Sequence, residues 1–524
     1  MRRLLPALAG LAIALGPGAT SLPAQELGLS GLGTLKAGWG TVLNEQNQEL
    51  DRLYREAMLD LDLSWRSLRL NAAAAALHPA ELPDARPEAT RIKDADLIRR
   101  SLEWQGPVHV QLGHFWTTFG NGLALSLYRD DALENPRLTG TARQELPTTW
   151  DSRGDGALVE ALHGDWTLKA LAGGHDYVGR LGAANLEWHR PWGSLGGSWV
   201  RAAEIPESIQ DLQPRELDLE SRELYAMVRL GQVELSLNHV DQHQHDALPV
   251  NAGSGGLATY GTASLPLLGW QVLAEYKYYR FARRALYINN PPIVQKEIPT
   301  RLIARKRRLN TFENETGLQL DLSRPLAAGQ TLLLSGAWTS RIEDNLLPRF
   351  EEALSAYQEY TAGWLLDFDH DRQLALGAAY AEETSGFVEG GAPLAGRPWY
   401  RRTGLTAGWH APLPLVNSLE LAGEFMRKEE RARDKTSDAV LLWANFYPAK
   451  PLSVNVTADY EEHSESGRDW LASGELRMDL RHRDLSHTLT LFAGRQRGGL
   501  VCSSGNCRVV APFDGVKATL ATQF

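Results

Sequence analysis

The sequence predicts an all-β chain closed into a large antiparallel transmembrane β-barrel. Three observations predict it. Apolar and polar residues alternate with a period of two from about Leu27 onward. The connections between alternating stretches switch between tight turns and long polar loops. The chain also ends in mid-pattern, on Phe524.

Composition does not oppose this reading. A formal charge of −10 and a mean hydropathy of −0.31 look soluble. A membrane barrel has the same profile, because only every second strand residue faces lipid and the loops are polar. No stretch after the N-terminus holds the roughly 18 consecutive apolar residues of a spanning helix. The acidic balance argues against a nucleic-acid partner, which favours a basic face.

Residues 1–24 begin with Arg2 and Arg3, continue through an apolar stretch from Leu4 to Leu15, and reach Gly16, Pro17 and Ala24. That order reads as a cleaved secretory signal, too short in its apolar part to span a bilayer. Residues 25–524 are then expected to form a single barrel domain, since no linker-like stretch or fixed repeat divides them.

Within that domain the faces separate cleanly. In "WQVLAEYKY", Trp270, Val272, Ala274, Tyr276 and Tyr278 oppose Gln271, Leu273, Glu275 and Lys277. In "LSVNVTADY", Leu452, Val454, Val456, Ala458 and Tyr460 oppose Ser453, Asn455, Thr457 and Asp459. "TLLLSGAWTS" and "VELSLNH" repeat the pattern. Counting such stretches gives about 24 strands (about 20 to 26), each near the 9–11 residues that cross a bilayer with tilt. The stretch 54–75 is the faintest. The 16 Trp and 15 Tyr are expected in interfacial girdles.

Short turns are expected near Gln105-Gly106, Gly164-Asp165, Pro191 to Gly193, Leu230-Gly231, Leu267 to Gly269, Asp367 to Asp371, Pro412 to Val416, Pro448 to Pro451 and Arg483 to Leu485. Long segments at 76–94, 116–154, 282–308, 384–399 and 495–511 lie between them. Tight turns at one end and long loops at the other are the plan of an outer-membrane barrel, with both termini on the periplasmic side.

The ending "VKATLATQF" belongs to the same plan. Val516, Ala518, Leu520, Thr522 and Phe524 share one face, and the last strand must pair with the first so that no unbonded edge meets hydrocarbon. An alternating strand ending in Phe resembles the C-terminal signal of bacterial outer-membrane proteins. That resemblance implies Leu520 and Phe524 as an assembly signal and the barrel-assembly machinery as a partner.

Five motifs are candidates for function. "GHFWTTFGNGLALSLYRDD", 113–131, carries too much apolar surface for a loop in water, including Phe115, Trp116, Phe119 and Leu123. It is expected either to fold into the lumen as a constriction or to pack as a loop base on the wall. "RLIARKRR" contributes Arg301, Arg305, Lys306, Arg307 and Arg308, a basic loop suited to lipopolysaccharide phosphates or anionic solutes, or simply solvated. Cys502 and Cys507, the only cysteines, are expected to form a disulfide across a Gly-containing turn. "DQHQHD" (Asp241, His243, His245, Asp246) and "DFDHD" (Asp367, Asp369, His370, Asp371) have metal-ligand residue types, but Asp-rich turns arise for conformational reasons. No metal or cofactor is expected.

The "FGNGL" stretch resembles segments of uncharacterised porin-like bacterial outer-membrane barrel proteins. The resemblance implies the bacterial outer membrane as location, with no particular substrate. Catalytic motifs of the G-x-S-x-G or H-E-x-x-H kind are absent from the sequence, so an enzyme is not expected.

The expected function is therefore a passive channel for a small hydrophilic solute, lined by Gln271, Glu275, Lys277, Asn455 and Asp459. One alternative is a structural or secretion-associated barrel with a closed lumen that binds a partner protein. Another is a receptor-type transporter whose plug comes from a second chain, because alternation starting at "LGLSGLGTLKAGWG" leaves no stretch for a plug of its own. Outer-membrane lipid and lipopolysaccharide are expected surroundings, and homo-oligomerisation stays open.

Overall fold

A computed structural model describes residues 27–524 apart from 44–48, 79–95, 128–153, 176–177, 207–215, 246–254, 282–301, 304–313, 343–344, 351–355, 370–371, 385–387, 390–391, 394–397, 414–415, 431–433, 463–468, 497–498, 504–505 and 511–512. The expected signal at 1–24 lies outside the described residues.

One antiparallel sheet of 24 strands forms the wall. Each strand pairs with its neighbour along the chain, and Leu27–Leu43 pairs with both Glu49–Trp65 and Phe513–Gln523. The sheet is thereby closed. Phe524 completes the seam: the Gly31 amide donates to its carbonyl at 2.8 Å, and its own amide donates to the Gly31 carbonyl at 3.0 Å. Closure leaves the sheet without a free edge, which hydrocarbon requires.

Alternation gives the wall two surfaces. In Glu216–Leu230, Ser221, Glu223 and Tyr225 point inward and are buried, whereas Leu224 between them is 70% exposed on the outside. The same rule places Val516 and Leu520 outward and Lys517 inward along the last strand. Trp65, Trp104, Trp166 and Trp192 ring the turn side of the outer surface. On the loop side Trp338 meets Tyr360 at 5.6 Å, and Tyr360 meets Tyr380 at 6.3 Å. Two aromatic belts flanking an apolar band mark the interfaces of a bilayer. The chain forms a transmembrane barrel of the outer-membrane type. Among the described residues no helix is long and apolar enough to cross.

Every short connection expected from the sequence lies at one end of the wall, with flanking strands two residues apart. Two further turns join them there. Arg66-Ser67 connects Glu49–Trp65 to Leu68–His78, and Ala328-Gly329 connects Asn314–Ala327 to Gln330–Arg341. Arg66 takes a φ of 53° and Gly329 one of 71°, the left-handed conformation that matches the twist of a two-residue hairpin. Arg483 has a similar φ of 52° but stands beside Asp484, a turn former, whereas neither residue of Arg66-Ser67 is Gly, Pro, Asn or Asp.

Candidate functional site

Gly113 bends the end of Val108–Phe115. Its φ is 89°, and the register runs through it without a shift, so that Phe115 faces inward like Gln111 while His114 stays on the outer side beside Asp155 at 3.7 Å. From Phe115 the chain enters the barrel. Thr117 and Thr118 pair with Leu127 and Ser126, forming a small hairpin whose tip is "FGNGL". Inside the tip the Phe119 amide donates to the Leu125 carbonyl at 3.0 Å and the Gly122 amide to the Phe119 carbonyl at 2.8 Å.

The tip is built to approach the wall. Gly120 has a φ of 52°, and a Cβ there would lie 2.9 Å from the Tyr225 ring and 3.0 Å from the Asn238 amide nitrogen. No other residue fits that gap without displacement. Beside it the Asn121 amide donates to Asn238 Oδ1 at 2.9 Å, and the Asn238 amide donates to Glu223 Oε1 at 3.0 Å. Ser198 donates to the other Glu223 oxygen at 2.6 Å, and Asn185 donates to the Tyr225 hydroxyl at 2.8 Å. Each buried polar group in this chain of bonds has a partner, which makes burial tolerable.

Apolar packing surrounds that polar latch. Phe115, Phe119, Leu123, Leu125 and Leu127 are at most 2% exposed. They cluster with inward residues of eight successive strands, from Leu158 and Leu171 through Val200 and Val240 to Tyr260 and Tyr279. Burying each large side chain stabilises the arrangement by about 1.5–3 kcal/mol. Trp116 instead lies under the Arg99 guanidinium, 5.3 Å from the ring centroid. The segment thus packs on the inward-facing residues of the wall.

A second segment packs on another arc of the inner wall. Leu302 and Ile303, within the basic run, are buried against Tyr357, Ala379, Ala381, Met426 and Leu441. The Leu302 amide donates to Glu424 Oε2 at 2.8 Å. Sequence reading weighed only the charges of this run and missed its apolar pair. Arg301, Arg305, Lys306, Arg307 and Arg308 themselves lie outside the described residues.

The expected lining residues all face inward but differ in access. Gln271 is exposed and Asn455 is half-buried, with its amide donating to Asn445 Oδ1. Glu275 and Asp459 are buried. Lys277 is fully buried, with its ammonium 3.2 Å from Glu315 and 5.7 Å from the Tyr279 ring centroid. Toward the turns the inner face is open and charged, as in the pairs Arg229–Glu234 and Arg477–Asp479.

Other candidates fall elsewhere. Asp241, His243 and His245 sit at the loop-side end of Val233–Gln244, with Asp241 and His243 on its outer face. His243 contacts Asp241 at 2.8 Å and His245 contacts Glu220 at 3.1 Å. Among the described residues no group of three or more His, Cys, Asp or Glu could hold a metal ion. Asp246, His370 and Asp371 lie outside the described residues. Cys502 and Cys507 stand opposite one another by register in the hairpin Gly499–Ser503 and Asn506–Val510, and their side chains lie outside the described residues.

Neither a protein-family profile nor a curated protein matches the sequence. Among solved structures the chain is similar to a siderophore receptor, PirA, of Pseudomonas aeruginosa, with 10% identity over 96% of this chain and 81% of that one and a TM-score of 0.45. It is also similar to the P pilus usher (PapC) translocation pore, with 10% identity, coverage of 95% and 98%, and a TM-score of 0.44. For the copper transporter OprC the values are 9% identity, 95% and 83%, and 0.43. Likeness at this level says nothing of what passes through or docks on the chain.

Proposed function

We propose that the chain forms a passive, porin-like channel for hydrophilic solutes, narrowed by its own hairpin at 116–127. The observation that carries this reading is the confinement of the hairpin to one arc of the wall. Its partners are Arg99 and inward residues of the strands between Gly154 and Arg280. Across the barrel, the inner face around Asn455, Arg477 and Asp479 stays polar and at least partly exposed. Paired charges of both signs suit water and neutral hydrogen-bonding solutes such as sugars.

A second reading is a closed barrel that binds a partner protein. The inward burial of Leu302 and Ile303 from a separate loop favours it, since two segments then occupy the lumen. Swelling of proteoliposomes in sugars of increasing size separates the two. A channel gives swelling that falls off with sugar size, and absence of swelling with the smallest sugar rejects the channel in favour of the closed barrel.

The same reading covers the rest of the surroundings. Outer-membrane lipid contacts the apolar band, and the assembly machinery would recognise the strand that ends in Leu520 and Phe524.

A further inference from the structure

Beyond Gln330–Arg341, residues 345–350 lie against the outer side of the wall. Asn345 is 3% exposed and its amide donates to Ser340 Oγ at 3.2 Å and to the Leu347 carbonyl at 2.9 Å. The Arg349 amide donates to the same Ser340 hydroxyl at 3.1 Å. Two wall hydroxyls, Tyr276 and Thr316, converge on the Leu346 carbonyl, each at 2.8 Å. Thr316 and Ser340 are register partners, and Tyr276 shares their face, the one that alternates with inward Lys277, Glu315 and Thr339. The segment is thus fastened to the outside of the barrel, not over its mouth.

Its large apolar side chains are left exposed by that fastening. Leu346 is 70% exposed, Leu347 60% and Phe350 38%. An apolar cluster of this kind in water is unfavourable. The height resolves the difficulty, because Tyr276 is the register partner of Leu318 and Leu318 that of Trp338, which puts Tyr276 in one row with the Trp338 that meets Tyr360. At this level the outer wall already meets lipid, so the segment is continuous with an established lipid surface. Irregular backbone beside hydrocarbon is tolerated only when its polar groups are bonded, and the carbonyls of Leu346 and Leu347 are both bonded.

We propose that residues 345–350 form a lipid foothold: Leu346, Leu347 and Phe350 insert among the fatty acyl chains of the outer leaflet, held at belt height by Tyr276, Thr316 and Ser340. Such a foothold fixes the vertical position and tilt of this side of the barrel. It is independent of whether the lumen conducts.

The test places an environment-sensitive fluorophore at Leu347→Cys in a Cys502→Ser, Cys507→Ser background. The protein is folded into phosphatidylcholine vesicles with and without acyl-chain spin-labelled lipid, and Asp484→Cys in a turn serves as the water-exposed control. The foothold gives blue-shifted emission at 347, most of which is lost to the spin-labelled lipid, while the control is neither shifted nor quenched. Emission at 347 like that of the control overturns the proposal. A blue shift without quenching by lipid overturns it in favour of a contact with a second copy of the chain. Tyr276→Phe with Thr316→Val should return the 347 signal toward the control in a barrel that remains heat-modifiable. An unchanged signal removes the two hydroxyls from the account.

Discussion

Gly120 carries more of the lumen architecture than its size suggests. Its left-handed backbone and the 2.9 Å approach of the Tyr225 ring leave no place for a side chain. Gly120→Val should cost about 1–3 kcal/mol from backbone strain alone, loosen the hairpin from Asn238 and raise channel conductance in a barrel that still folds. Single-channel recording beside a heat-modifiability gel checks both parts. Lys277 makes a different kind of prediction. Removing one partner of a buried ion pair leaves a stranded charge, so Lys277→Met should destabilise the barrel by about 3–5 kcal/mol. The pair is made with Glu315 at 3.2 Å. Lys277→Met with Glu315→Gln should recover much of that loss, read as the urea midpoint in detergent. The sequence placed Lys277 on the inward face by period two, but its burial depends on neighbouring chain that parity alone does not reveal.

At the scale of elements, the strands were the legible part. Alternation such as Trp270 to Tyr278 states both the conformation and the face, and the tight turns with Gly or Pro stated where strands reverse. The Arg66-Ser67 turn was not legible because it holds no Gly, Pro, Asn or Asp, whereas Asp484 marks the otherwise similar turn at Arg483. The hairpin at 117–127 was half legible. Its apolar excess showed that it must be covered, but the cover comes from inward residues spread over eight strands. Leu302 and Ile303 were hidden by the charges around them, and the segment 345–350 carried no periodic signal. For the last strand the prediction concerns assembly. Deleting Phe524 removes both seam hydrogen bonds to Gly31. The fraction that reaches the heat-modifiable form during refolding should fall, while the residual folded barrel keeps the wild-type conductance.

The whole molecule combines a closed wall with a partly occupied interior. Apolar residues outside and charged pairs inside follow from one rule applied 24 times, and the two in-folded segments come from loops on one end. Whether water remains continuous past them is the central claim. Single-channel conductance in a planar bilayer tests it most directly, comparing the barrel of residues 25–524 with the same barrel lacking 116–127. The account predicts small steady steps for the first and clearly larger ones for the second. Equal conductance in both, or silence in both from a correctly folded barrel, would contradict it.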